Sequence, residues 1–246
     1  MRERTDGGIG HPMQLTFATY NIHKAVGMDR RRNPDRILAV LAEIDADVIA
    51  LQEVDRRIGL RESVLPLSHI EDYTPYRAVR LNQRPDSMGW HGNALLVRRG
   101  ITLAEAAVVP LPVLEPRGAI RADLVVGGHR IRVVGMHLDL SGLRRRQQLR
   151  AIMAHLGRCG HHCPTVVMGD CNEWGVRRGS LSEFAAPWQV LAPGRSFPAR
   201  QPVARLDRIA LSGEWRVIKA EVHHSALAVQ ASDHLPVMAR LELPKI

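Results

Sequence analysis

The chain predicts an α/β fold with strands and helices interleaved, and three stretches carry that expectation. Residues 15–53 read as strand, helix, strand. The apolar run Val166-Val167-Met168 stops abruptly at Gly169-Asp170-Cys171-Asn172, as a strand buried on both faces does when it reaches the rim of a sheet. Two β-rich arms, Ala119–Val126 and Arg130–His137, flank Gly127-Gly128, a hairpin signature.

The first strand, Leu15–Ile22, runs out at Asn21-Ile22-His23. After a polar loop with Arg30, Arg31 and Arg32, Asn33-Pro34-Asp35 is a helix start: a capping Asn, Pro at the first helical position and an acid near the positive helix end. Ile37, Leu38, Leu41 and Ile44 form one apolar stripe. The strand Asp47–Glu53 follows, so a right-handed crossover brings Asn21 and Glu53 to the same end of parallel neighbours. Residues 56–90 are polar and carry Pro66, Pro75 and Pro85. They read as a long excursion with short helices, of the kind that shapes substrate choice. Asn93–Val97 and Ile101–Val109 are strands. Gly142–Arg158 is an amphipathic helix with Leu149, Ile152, Met153 and Leu156 inward. Arg144, Arg145 and Arg146 sit at its start, an unfavourable end for cations, as a solvated face or a phosphate-facing cluster. Arg205–Leu211, Val217–His223 and Leu235–Leu243 complete the strands, the last preceded by Ser232-Asp233-His234.

With 246 residues, 45% of them hydrophobic, the chain can bury a sizeable core. Residues 1–12 are polar and Gly-rich without an apolar signal centre, so a disordered leader is expected before a single domain over 13–246, in the cytoplasm. No apolar run is long enough to span a bilayer. The net charge is +9, and Lys24, Lys219 and Lys245 are the only lysines. An arginine-rich surface suits polyanionic partners. Three cysteines close no disulfide framework. Cys159, His161, His162 and Cys163 resemble a zinc cluster, but their spacing fits no standard site; reduced thiols beside a loop fit better.

The polar strand ends form a set: Asn21, Glu53, His137, Asp170, Asn172, Asp207, Asp233 and His234. Carboxylates crowded on one rim repel unless a cation or proton neutralises them. Oxygen ligands with few thiols suit a hard cation, Mg²⁺ or Mn²⁺. Two histidines beside it could stabilise a phosphoryl oxygen or protonate a leaving group. There is no Walker loop, no Gly-x-Gly-x-x-Gly and no Gly-x-Ser-x-Gly elbow, which leaves metal-assisted hydrolysis of a phosphate ester as the best fit. Arg117 could clamp a phosphate or make a surface salt bridge; Asn93 could line the site or only start its strand.

Seven pieces in order, Thr19-Tyr20-Asn21-Ile22-His23, Leu51-Gln52-Glu53, Gly92-Asn93-Ala94, Met136-His137-Leu138, Gly169-Asp170-Cys171-Asn172, Leu206-Asp207-Arg208-Ile209 and Ser232-Asp233-His234, together resemble the endonuclease/exonuclease/phosphatase superfamily, the fold of deoxyribonuclease I. The resemblance spans Leu15 to Leu243. It implies a four-layered α/β sandwich, two packed mixed sheets flanked by helices. It implies Glu53 as principal metal ligand with Asn21 beside it and Asp233 supporting the metal side. Asp170 would orient or deprotonate the attacking water, with Asn172 holding water and phosphate. His137 would donate to a non-bridging oxygen, and His234 would face the scissile phosphate, fixed by Asp207 behind it. Cys171 and Arg208 depart from the pattern, which usually has aromatics there.

The implied activity is Mg²⁺-dependent phosphodiester hydrolysis, on nucleic acid or on a small or lipid substrate. Thr-Tyr-Asn-Ile-His looks more like the general and lipid-associated branches than the abasic-site endonucleases, while the basic charge favours nucleic acid. Aromatics are only 4% of the chain, too few for a single-strand stacking platform. Phosphomonoester hydrolysis on an inositol-phosphate-like substrate and a non-catalytic phosphate-binding module are the alternatives. A monomer is expected, with no transmembrane segment; a peripheral lipid substrate is compatible with that.

Overall fold

A computed structural model describes residues 12–56, 62–81, 83, 86–112, 117–175 and 179–244. The elements run β1 (Met13–Asn21), α1 (Pro34–Ile44), β2 (Val48–Gln52), α2 (Leu67–Tyr73), β3 (Tyr76–Ala78), β4 (Ala94–Arg98), β5 (Thr102–Val109), β6 (Gly118–Val126), β7 (His129–His137), α3 (Gly142–Gly157), β8 (Thr165–Asp170), β9 (Gln189–Leu191), β10 (Asp207–Leu211), β11 (Arg216–Val222), α4 (Ala226–Ala231) and β12 (Val237–Leu243). All but residue 12 of the expected leader lies outside the described residues.

The strands form two six-stranded sheets, ordered β11-β12-β1-β2-β4-β3 and β5-β6-β7-β8-β10-β9. Phe17, Val48, Ala50, Leu95 and Val97 of the first interdigitate with Ile120, Val133, Val166, Met168 and Ile209 of the second, a core from which both inner faces exclude water. α1, α2 and α4 cover the outer face of the first sheet through Ile37, Leu41, Ile70 and Ala228. α3 covers the second through Leu149 and Ile152. The result is the four-layered α/β sandwich. Among the described residues no helix is long and apolar enough to cross a membrane.

Among the described residues each sheet has a single parallel pair, and in each a helix joins the two strands. β1 and β2 pair in parallel across α1, and β7 and β8 pair in parallel across α3. Antiparallel partners surround both pairs. Local chemistry explains the units. The Asn33 side chain accepts from the Arg36 N–H at 3.1 Å and Pro34 opens α1. Gly127 and Gly128, at φ 55° and 81°, make the two-residue turn between β6 and β7 that side chains with a Cβ resist.

The arginine run at the start of α3 divides: Arg146 lies on the exposed face, and Arg145 does not. Arg145 turns inward, donating to the Leu140 carbonyl at 2.6 Å and to Glu173 Oε2 at 3.3 Å. Arg146 and Arg150 pair with Glu183. Cys159, Cys163 and Cys171 are free thiols, and no metal-type cluster among the described residues includes the first two or their histidines.

Candidate active site

The carboxyl ends of the two parallel pairs meet, and that meeting assembles the polar set. Asn21 ends β1 opposite Gln52, so Glu53 leaves β2 beside it; His137 ends β7 opposite Asp170 at the end of β8. Asp207 opens β10 opposite Asp170. This is where open α/β sheets present ligands, here built twice and face to face. Asn21 Nδ2 donates to Asp170 Oδ2 at 3.1 Å, so one hydrogen bond ties the two sheets together at the site.

Asp170 is the centre. It is 2% exposed. Its Oδ2 also lies 3.3 Å from His137 Nε2 and 3.7 Å from His234 Nε2, while Oδ1 accepts from the Asn172 N–H at 2.9 Å. Burial works against its charge. The His234 and His137 rings and the Asn172 N–H outweigh that and hold the carboxyl well below the usual carboxylate range. The sharp turn comes at Asn172 (φ 49°), whose Nδ2 donates to the Leu138 carbonyl at 2.9 Å. Gly169 does not make that turn. It lies inside β8, where an added Cβ would sit 1.8 Å from the Met136 carbonyl oxygen, so its role is close approach of two strands.

Behind Asp170 stands a relay. His234 Nδ1 lies 2.9 Å from Asp207 Oδ2, which also accepts from Ser196 Oγ at 2.5 Å. The Phe197 ring packs on the imidazole at 4.8 Å between centroids. Burial favours a neutral ring, but the Asp207 and Asp170 carboxylates outweigh it and push the His234 pKa up to about 10. Asp170, Asp207 and His234 bring ligand-type atoms within 4.8 Å of one another. A doubly protonated imidazole has no lone pair for a metal, so we read this group as an imidazolium between two carboxylates.

Glu53 and Asp233 lie on the other side. Glu53 has φ 58°, and its Oε2 receives the Lys24 ammonium. Asp233 Oδ1 is 3.8 Å from His23 Nδ1. The donor set suits a hard divalent cation: Glu53 offers a carboxylate that already holds a cationic group, and among the described residues Asn21 Oδ1 accepts only the His23 N–H, at 3.1 Å. Among the described residues, two buried oxygens, Asp207 Oδ1 and Asn93 Oδ1, have no hydrogen-bond partner.

Arg117 and Asn93 do reach this region. Arg117 is buried with its guanidinium against both ring nitrogens of His137. Asn93 is fully buried and donates to the Trp90 and His91 carbonyls at 3.3 and 3.4 Å. Sequence reasoning missed Lys24, Ser196, Phe197 and the Arg145–Glu173 pair. Lys24 had a signal, a rare lysine directly after the first strand end; the others are joined to the site only by the tertiary fold. Arg208 is fully buried and donates to the Asp207, Glu173 and Gly175 carbonyls at 3.2–3.3 Å, pinning the turn after Asn172.

Three comparisons bear on this geometry. The chain is 28% identical to the Escherichia coli K12 protein YbhP over 250 residues, covering 92% of this chain and 95% of YbhP. It superposes on an endonuclease/exonuclease/phosphatase from Bacteroides vulgatus with a TM-score of 0.74 at 17% identity, covering 94% of this chain and 100% of the other. It also superposes on D. rerio TDP2 complexed with a single-strand DNA product, with a TM-score of 0.71 at 15% identity, covering 93% and 98%. Residues 18–234 match the profile of the Endonuclease/Exonuclease/phosphatase family, whose members act on phosphate esters, and this chain belongs to that family.

Proposed function

We propose that this protein is a divalent-metal-dependent phosphodiesterase that attacks its substrate with water. The observation that carries the reading is the row Ser196–Asp207–His234–Asp170–Asn21, hydrogen-bonded at every link except the 3.7 Å ionic contact between His234 and Asp170, which crosses from one sheet to the other and ends beside Glu53. Glu53 and Asn21 would hold Mg²⁺ or Mn²⁺, with Asp233 supporting that side. The bound ion supplies charge neutralisation on phosphoryl oxygens and a more acidic water.

The chain's own residues do the rest. Asp170, anionic and fixed through both oxygens, orients the attacking water and takes its proton as the bond to phosphorus forms. Asn172 holds that water and a phosphate oxygen. His234 is a cation at neutral pH because two carboxylates face it, and it stabilises charge as the phosphorane develops. His137, with Arg117 against its ring, binds a non-bridging oxygen. Asn93, whose buried oxygen has no hydrogen-bond partner among the described residues, lines the floor.

A chain of net charge +9 suits a polyanion, and D. rerio TDP2, with a DNA product bound, is a nucleic-acid case within the same fold. The test is nicking of supercoiled plasmid and hydrolysis of bis-nitrophenyl phosphate, with Mg²⁺ or EDTA, by wild type, Asp170→Asn and His234→Ala. Removing a positioned acid or base costs about 10²–10⁴ in turnover. Wild-type turnover in EDTA, or unchanged turnover in either variant, overturns the reading. Cleavage of a nitrophenyl monoester alone would move the activity to phosphomonoesters.

A further inference from the structure

The segment after β1 holds three consecutive non-glycine residues in the left-handed region: His23 (φ 45°), Lys24 (57°) and Ala25 (57°). Each is a conformation that side chains with a Cβ avoid, so the surroundings must hold the turn. Backbone bonds from Ala25 to Ile22 and from Asn33 to Ala25 help to hold it, and so does Glu53. The Lys24 N–H donates to the Glu53 carbonyl at 3.1 Å, and the Lys24 ammonium reaches Glu53 Oε2. The Lys24 carbonyl in turn accepts from Arg32 Nε at 3.1 Å. The two charged side chains are 19% and 16% exposed, so solvent screens this pair only in part.

The identity of the cation matters. Basic residues in this chain are arginine almost everywhere, yet position 24 is lysine. A guanidinium grips a carboxylate through two parallel bonds. An ammonium is a compact point charge on a flexible stem and is more easily exchanged for another cation.

We propose that Lys24 is a built-in competitor for the divalent cation at Glu53: its ammonium neutralises the carboxylate in the metal-free protein and must leave that oxygen before a metal ion takes it. This rests on the reading of Glu53 as a metal ligand. Lys24 is therefore a positioning residue. It keeps Glu53 pointed into the site and sets metal affinity below what the oxygen ligands alone would give. The displaced ammonium stays within a site built for phosphate, so an anionic ligand offers it a new partner and should tighten metal binding.

The experiment measures Mn²⁺ affinity by electron paramagnetic resonance on full-length protein stripped with EDTA, for wild type, Lys24→Met, Lys24→Arg and Glu53→Gln, with and without inorganic phosphate. Thermal melting with and without Mn²⁺ reports on the fold. Lys24→Met should bind Mn²⁺ about five- to tenfold more tightly, the scale of one partly screened ion pair. Its metal-free form should melt lower than wild type, and saturating Mn²⁺ should close the gap. Lys24→Arg should bind Mn²⁺ no better than wild type, and phosphate should tighten binding in wild type more than in Lys24→Met. Equal affinity in wild type and Lys24→Met overturns the inference while leaving the metal reading intact. If Mn²⁺ binds none of the proteins, or binds Glu53→Gln as well as wild type, the assignment of Glu53 fails and takes the inference with it.

Discussion

His234 Nδ1 lies 2.9 Å from Asp207 Oδ2, and neither side chain reaches solvent to any useful extent. The pair joins residues 27 apart in sequence and fixes the ring's orientation from behind, leaving Nε2 to face Asp170. A ring held this way has one tautomer and one direction when neutral, and a stable cation when protonated.

That relationship predicts a pH profile. The His234 pKa is pushed up to about 10 against an ordinary value of 6.5, so the ring is charged through neutral pH. Its contribution to stability is fully present below the ordinary value and is lost as pH rises through about 10. Turnover that needs the cation follows the same limb. In Asp207→Asn the largest attraction opposing burial is gone, so the alkaline limb should move down by about one pH unit or more. Turnover at neutral pH should fall by about 10²–10⁴. A pH–rate series on wild type and variant checks both, and coincident alkaline limbs would remove Asp207 from its role.

A second prediction separates the fold from the site. Asp123 on β6 is 1% exposed and takes both Arg132 Nε and Nη2 at 2.8 Å, with Arg121 and Arg130 within 4 Å. Burial opposes its charge, but Arg132 outweighs it and holds the carboxyl below the usual range. The stability this gives is present above the ordinary carboxylate pKa and is lost as pH falls through the lowered one. Asp123→Asn takes their acid from Arg132 and Arg130, while Arg121 keeps Glu105, and should destabilise by about 3–5 kcal/mol. The pair lies at the far end of the strands from His137, so turnover per folded molecule should hold. Urea melts with assays at matched folded fraction test this; a variant as stable as wild type would mean that Asp123 contributes nothing.

The contrast between these two sites explains what the sequence could tell. The gathering of Asn21, Glu53, His137 and Asp170 was legible because each stands where an apolar strand stops, and that of Asp207 and His234 because each stands where an antiparallel strand begins, at the same rim. Arg145 was not legible. Its spacing on α3 marks it as solvated, and only Glu173, brought close by the turn after β8, draws it inward. The short elements escaped for a plainer reason. β3 and β9 have three residues each and α4 has six, too few for a period to register, although Ser225 caps α4 by accepting from the Ala228 N–H at 3.0 Å.

Gly169 supplies the sharpest test of how the strands carry the chemistry. In the parallel pair of β7 and β8, Met136 faces Gly169 and His137 faces Asp170. A Cβ on residue 169 would meet the Met136 carbonyl oxygen at 1.8 Å and its carbon at 2.8 Å, both backbone atoms that cannot swing aside. Gly169→Ala must therefore part the two strands one residue before the 3.3 Å contact between His137 Nε2 and Asp170 Oδ2. Overpacking of this kind costs about 3 kcal/mol. A displacement near 1 Å at the reacting groups costs about 10²-fold in turnover, beyond any loss of folded protein. Gly157→Ala, at the open end of α3 with nothing within 4 Å of the new methyl, is the control and should stay close to wild type in both respects. If Gly169→Ala melts and turns over like the control, the two strands do not set the distance between His137 and Asp170.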